Sequence, residues 1–183
     1  MYSDPLHVAF IRTNQWMQAV ELQVNRIIGP TLDPKIDGET KYRNNWNQKQ
    51  RDIDYFLIAL YRLKRGIETV NNLLKSVEIE SALRAFDRVT PDLKDLRDIG
   101  EHLDDYDWGK GKLEKQLTTE APTYSWGPTD GGISYRGKRL TIIQSLATAR
   151  KLHQVVMDVL AKKGKKITLN EWPLVQTEKT QES

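Results

Sequence analysis

From Ile53 to Val77 the apolar residues fall at alternating intervals of three and four: Ile53, Phe56, Leu60, Leu63, Ile67, Val70, Leu74 and Val77. That rhythm matches the helical repeat and sets all eight on one stripe. It predicts a long helix from about Gln48 to Val77. Leu57 and Ile58 widen the stripe, so this helix should touch two neighbours or a partner subunit. An apolar stripe of such length must be covered by other helices, and the rest of the chain offers them.

The N-terminal segment repeats the pattern. Ser3, Asp4 and Pro5 read as a polar cap followed by proline in a first turn. Leu6, Phe10, Thr13, Met17, Val20, Val24 and Ile27 then share a stripe, and Gly29 and Pro30 end it. From Thr31 to about Trp46 two prolines, Gly38 and the lack of a period suggest a long loop. A short third segment carries Ala82, Leu83 and Phe86. Thr90 and Pro91 read as the start of a fourth helix with the stripe Leu93, Leu96, Gly100 and Leu103.

Beyond Leu103 the period breaks into glycine, proline and aromatic residues. Ile133, Tyr135, Leu140 and Ile142 alternate around "RGK", which predicts a small β-hairpin. A last helix is expected from about Thr141 to Lys163, with Ile142, Leu146, Ala149, Val156 and Leu160 facing inward. The predicted fold is mainly all-α, a bundle of four to five helices with a hairpin insertion before the last helix. It occupies residues 1–163 as one domain, the insertion lying at about 121–141. Residues 164–183 form a polar tail, expected to be partly disordered.

Composition narrows the chemistry. The 183 residues suit one domain, and 38% hydrophobic against 29% charged fits long helices with solvated faces. With no cysteine, disulfides, thiol catalysis and cysteine-bound zinc are excluded, and a reducing compartment is expected. The start "MYSDPLHVAF" has no basic segment before an apolar core, and no apolar run nears the ~20 residues that span a bilayer. The expectation is a cytoplasmic protein without membrane contact. The net charge of +3 permits a nucleic-acid partner without demanding one.

The stretch "LRDIGEHLDDY" at 96–106 holds the strongest chemical candidate. Arg97 lies on a flank of the predicted stripe and His102 points away from it. As a solvated face, Arg97 would pair with Glu101 and Asp98 with His102, each four residues apart. As a catalytic group, His102 would move a proton, Arg97 would hold a phosphate and its developing charge, and Asp98 would orient the imidazole. Those are the parts needed to cleave RNA through its own 2′-hydroxyl without a metal. Arg97 and His102 diverge by ~140° around a helix, so one chain does not readily unite them.

An arginine, a polar residue, three spacers and a histidine in a late helix of an all-α bundle resembles the HEPN superfamily. The resemblance covers about residues 5–161 in helix order, and its sharp motif is "RDIGEH". These are small helical domains of prokaryotic toxins, defence systems and RNA-processing nucleases. The resemblance implies Arg97 and His102 as an active-site pair, Asp98 as the accompanying polar residue, and a homodimer that joins two motifs in one cleft. It implies a toxin-like, RNA-binding, metal-independent endoribonuclease.

The second reading is a non-catalytic module that binds a protein partner, such as a nucleotidyltransferase-like antitoxin. It rests on the acidic Asp104 and Asp105 after His102 and on the wide stripe of the second helix.

Other residues offer weaker candidates. Arg136, Lys138 and Arg139 interleave with Tyr124, Trp126 and Tyr135, a pattern that binds phosphates and stacks bases, although aromatics packed on the bundle are the commoner arrangement. Lys162, Lys163, Lys165 and Lys166 suit the negative end of a helix dipole as well as they suit a nucleic acid. His153 reads as a satisfied residue at the core edge and His7 as part of a first turn. The three histidines have no metal-ligand spacing, and neither a metal nor a cofactor is expected.

Overall fold

A computed structural model describes residues 4–29, 38–102, 110–112, 125–127, 131–135 and 137–164. The predicted tail from 165 onward, Leu103 and Arg136 lie outside the described residues. The helices are α1 (Pro5–Ile28), α2 (Gly38–Leu74), α3 (Val77–Val89), α4 (Leu93–Glu101) and α5 (Ile142–Lys162). Strands β1 (Ser125–Gly127), β2 (Gly132–Tyr135) and β3 (Lys138–Thr141) precede α5. The fold is mainly all-α, with a small antiparallel sheet before the last helix.

Each helix starts where the local chemistry allows it. Asp4 caps α1 by accepting the Leu6 N–H at 3.0 Å, and Pro5 takes the first helical position, where no amide donor is needed. All seven stripe residues of α1 are buried. On α2, Ile53, Phe56, Leu60, Leu63, Ile67 and Val70 are buried, together with Leu57. The two helices run antiparallel: Thr13 lies against Gly66, Trp16 against Arg62, and Arg26 pairs with Asp52.

Two boundaries and one inward position differ from the sequence reading. The supposed loop from Thr31 to Trp46 gives way to helix at Gly38, where a polar stretch carries no apolar period to reveal it. The second helix stops at Leu74, short of Val77. Lys75 turns into the left-handed region at φ 52°, the Asn71 side chain accepts the Ser76 N–H, and the Ser76 hydroxyl accepts the Ile79 N–H to cap α3. Val77 is therefore 71% exposed instead of joining the stripe. On α4 the inward residues are Leu93, Leu96 and Ile99, so Ile99 takes the place expected of Gly100.

The hairpin is present and extended by one strand. The sheet order is β1-β2-β3, with Ile133 opposite Leu140 and Trp126 opposite Ile133. Ile133, Tyr135 and Leu140 are buried, so the sheet sets its apolar residues on the bundle. The core then passes from the α1–α2 pair to α5, whose five predicted inward residues are all buried. Among the described residues, no helix is long and apolar enough to cross a membrane.

Candidate functional site

The short α4 owes its position to its buried side. Leu93, Leu96 and Ile99 face the core, and this packing carries Arg97 onto the flank next to α2. There the guanidinium carbon of Arg97 lies 4.4 Å from the centre of the Tyr61 ring. Its Nη2 is 2.7 Å from Asp98 Oδ1, and its Nη1 donates to the Glu101 carboxylate. The side chain is 19% exposed, and its Nε is buried without a hydrogen-bond partner. One cation thus faces two carboxylates and one aromatic ring. The cluster carries a formal charge of about −1, and a phosphate approaching Arg97 would have to displace both carboxylates.

His102 is the first residue beyond α4. Its N–H donates to the Ile99 carbonyl at 3.2 Å, and its side chain is exposed. Asp98, expected to orient the imidazole, is bound to Arg97 instead. Among the described residues no hydrogen bond or ion pair joins His102 to Asp98 or Arg97. The structure therefore unites Arg97 with Asp98 and Glu101 and leaves His102 outside the cluster.

The basic residues of the sheet behave differently from one another. Lys138 Nζ lies 2.7 Å from Asp95 and 3.4 Å from Asp92, and its hydrogen bond to Asp95 raises its pKa above the ordinary lysine value. Arg139 is exposed, and its backbone N–H donates to Asp92 at 3.0 Å. These bonds fasten β3 to the start of α4. Tyr135 is fully buried and cannot stack on a base. Arg136 lies outside the described residues, as does Tyr124, and so do the contacts of Trp126.

His153 stands at the core edge, as its sequence position suggests. Its ring stacks on Phe10, with centroids 6.3 Å apart and planes 18° from parallel. Its Nε2 is buried without a hydrogen-bond partner, so the expected satisfaction is incomplete. Burial lowers its pKa, opposed by the charge of Glu21. Asp54 on α2 shows the reverse. Burial raises its carboxyl to about 6, offset in part by the neighbouring Gln50 side chain. Among the described residues no group of three or more metal-ligating side chains comes together.

One arrangement was missed by sequence reasoning. A hollow of about 500 Å³ opens between α1 and α2, walled by Arg12, Trp16, Arg62, Arg65 and Thr69. The available signal was local: Arg12 and Trp16 are one turn apart, and Arg62, Arg65 and Thr69 follow the helical repeat. Only the antiparallel register of α1 on α2 makes them one surface. Compared with protein-family models, curated proteins and solved structures, the chain matches none of them.

Proposed function

We propose that this chain is a HEPN-like helical module that binds a partner and does not cut RNA. The observation that carries this reading is the commitment of Arg97 to Asp98, Glu101 and Tyr61. A phosphate-binding arginine needs an open fork, and this one is filled by two carboxylates. The partner in this reading is a protein, with a second copy of the chain or a nucleotidyltransferase-like antitoxin as the forms implied by the resemblance. Leu22, Ile28 and Tyr55, each about half exposed, lie toward the end of the α1–α2 pair marked by Arg26 and Asp52, and a partner there would cover them.

A second reading keeps the endoribonuclease. It is supported by the exposure of His102 at the end of α4, since an accessible imidazole is a group that can transfer a proton. In that reading a second copy, or the RNA itself, releases Arg97 from its carboxylates. The experiment is RNA cleavage by the purified protein in EDTA, beside Arg97→Ala and His102→Ala. The binding module predicts no cleavage above background with any of the three. Cleavage by the wild type that both substitutions abolish overturns it in favour of the nuclease. Light scattering and coexpression with proteins encoded beside it test the partner, and a chain that stays monomeric and captures none of them counts against the module.

A further inference from the structure

The hollow between α1 and α2 stands apart from the Arg97 cluster in its charge. Arg12 and Arg62 are exposed, and among the described residues no carboxylate pairs with either. Arg65 shares its charge with Glu68 at 2.6 Å. The local count is three guanidiniums against one carboxylate, a formal excess of about two positive charges around one opening.

Arg62 is also held in place. Its guanidinium carbon sits 5.0 Å from the centre of the Trp16 ring. A ring quadrupole orders the cation and removes none of its net charge, so less side-chain freedom is lost when an anion arrives. The contrast with Arg97 is chemical: both arginines lie on an aromatic ring, and Arg97 alone among the two is neutralised.

The floor of the hollow is built by a close approach of the helices. A Cβ placed on Gly66 would lie 2.7 Å from Thr13 Oγ1, so glycine lets the backbones meet there while longer side chains rise on either side. The Thr69 hydroxyl, which also lines the hollow, donates to the Arg65 carbonyl at 3.0 Å. A volume of about 500 Å³ is in the range of a small-molecule site.

From these features we infer that the α1–α2 hollow binds a free nucleoside polyphosphate, with Arg12, Arg62 and Arg65 on the phosphates and the base stacked at the Arg62–Trp16 pair. A planar guanidinium lying on an indole offers a flat face to a base and a forked edge to a phosphate. The charge excess matches a polyphosphate better than a monoester. The three arginines share one hollow with one aromatic side chain, Trp16. A groove for a long strand would instead repeat aromatics and cations along a track. The inference does not rest on the reading of Arg97 and His102.

The test is calorimetric titration of the full chain with ATP, adenosine, inorganic tripolyphosphate and an eight-nucleotide single-stranded RNA. ATP should bind at least about tenfold more tightly than adenosine or tripolyphosphate, because each of those meets only half of the site. Arg62→Gln and Arg12→Gln should each weaken ATP about tenfold. Arg62→Lys, which keeps charge and loses the plate, should fall between wild type and Arg62→Gln. Arg88→Gln, on the exposed side of α3, should leave binding unchanged. Thermal melts of each variant separate lost binding from lost folding. The inference is overturned if ATP does not bind at about millimolar concentration, if tripolyphosphate binds as well as ATP, or if the RNA binds more tightly than ATP.

Discussion

Arg97 sits over the ring of Tyr61, with its guanidinium carbon 4.4 Å from the ring centre, and this contact ties α4 to α2. Asp98 and Glu101 complete the clasp. Arg97→Ala removes the stacking and the charge-assisted hydrogen bonds and leaves two carboxylates facing one another. The expected loss is about 1–3 kcal/mol of unfolding free energy. Arg97→Lys should recover less than half of it, because an ammonium lacks the fork and the plane. His102→Ala, at an exposed position outside the helix, should stay within about 0.5 kcal/mol of wild type. Urea denaturation measures all three. An Arg97→Ala protein as stable as wild type would show that the clasp does not hold α4 to α2.

Asp54 makes a pH prediction. Its carboxyl rises from 3.8 to about 6, chiefly through burial. The folded chain therefore holds this proton more tightly than the unfolded chain. The contribution is fully present below 3.8 and is lost as pH rises through about 6. Two units correspond to at most ~3 kcal/mol, and screening at a side chain only partly buried brings the expectation to about 1 kcal/mol. Asp54→Asn keeps the shape of the side chain and cannot ionise. Its stability relative to wild type should climb by about 1 kcal/mol between pH 4 and pH 7, read from denaturation curves across that range. Curves that run parallel at every pH would show that Asp54 is not held neutral by the fold.

The sheet should loosen when Lys138 is removed. Its ammonium bridges Asp95 and Asp92, and Asp92 also accepts the Arg139 N–H. With the lysine pKa raised, this stabilisation is present below the ordinary value of 10.5 and is lost as pH rises past the folded value. Lys138→Gln should lower stability by about 1 kcal/mol at neutral pH. It should also speed hydrogen exchange at Ile133 and Leu140 by about three- to tenfold while the α2 amides keep their protection. Equal acceleration throughout the chain would mean that sheet and bundle open together and that the tie is not local.

What the sequence revealed follows from how far apart the causes lie. Phe10, Val20, Phe56 and Leu63 announce their burial through spacing, since a helix stripe is a local property. The pairing of Arg97 with Glu101 was legible for the same reason, one turn apart on α4. The break at Lys75 was visible only in Ser76, a capping residue hidden inside an apolar rhythm that continues to Val77. Strand β1 has three residues and pairs through its backbone, so its side chains carried no pattern. Asp98 was free in sequence to serve either His102 or Arg97, and rotamers in the folded chain decided for Arg97. The Arg12–Trp16–Arg62 hollow depends on the register between two helices whose contact residues are about fifty positions apart, which no local window samples.

That register is itself testable at Gly66. A methyl group added there would sit 2.7 Å from Thr13 Oγ1, closer than side-chain atoms tolerate, and Thr13 is fully buried with its hydroxyl donating to the Ala9 carbonyl at 2.8 Å. In an exposed helix, glycine to alanine would stabilise by about 1 kcal/mol through propensity alone. Here the overlap should outweigh that gain, and Gly66→Ala should destabilise by about 1–3 kcal/mol. Thr13→Ala removes the obstructing oxygen and with it the hydroxyl donor, leaving the Ala9 carbonyl with its helical bond. The double variant Thr13→Ala/Gly66→Ala should therefore be more stable than Gly66→Ala, with a coupling of about 1 kcal/mol or more in a denaturation cycle. Strict additivity of the two substitutions would mean that α1 and α2 do not meet at this point, and the antiparallel register built on Thr13 and Gly66 would have to be abandoned.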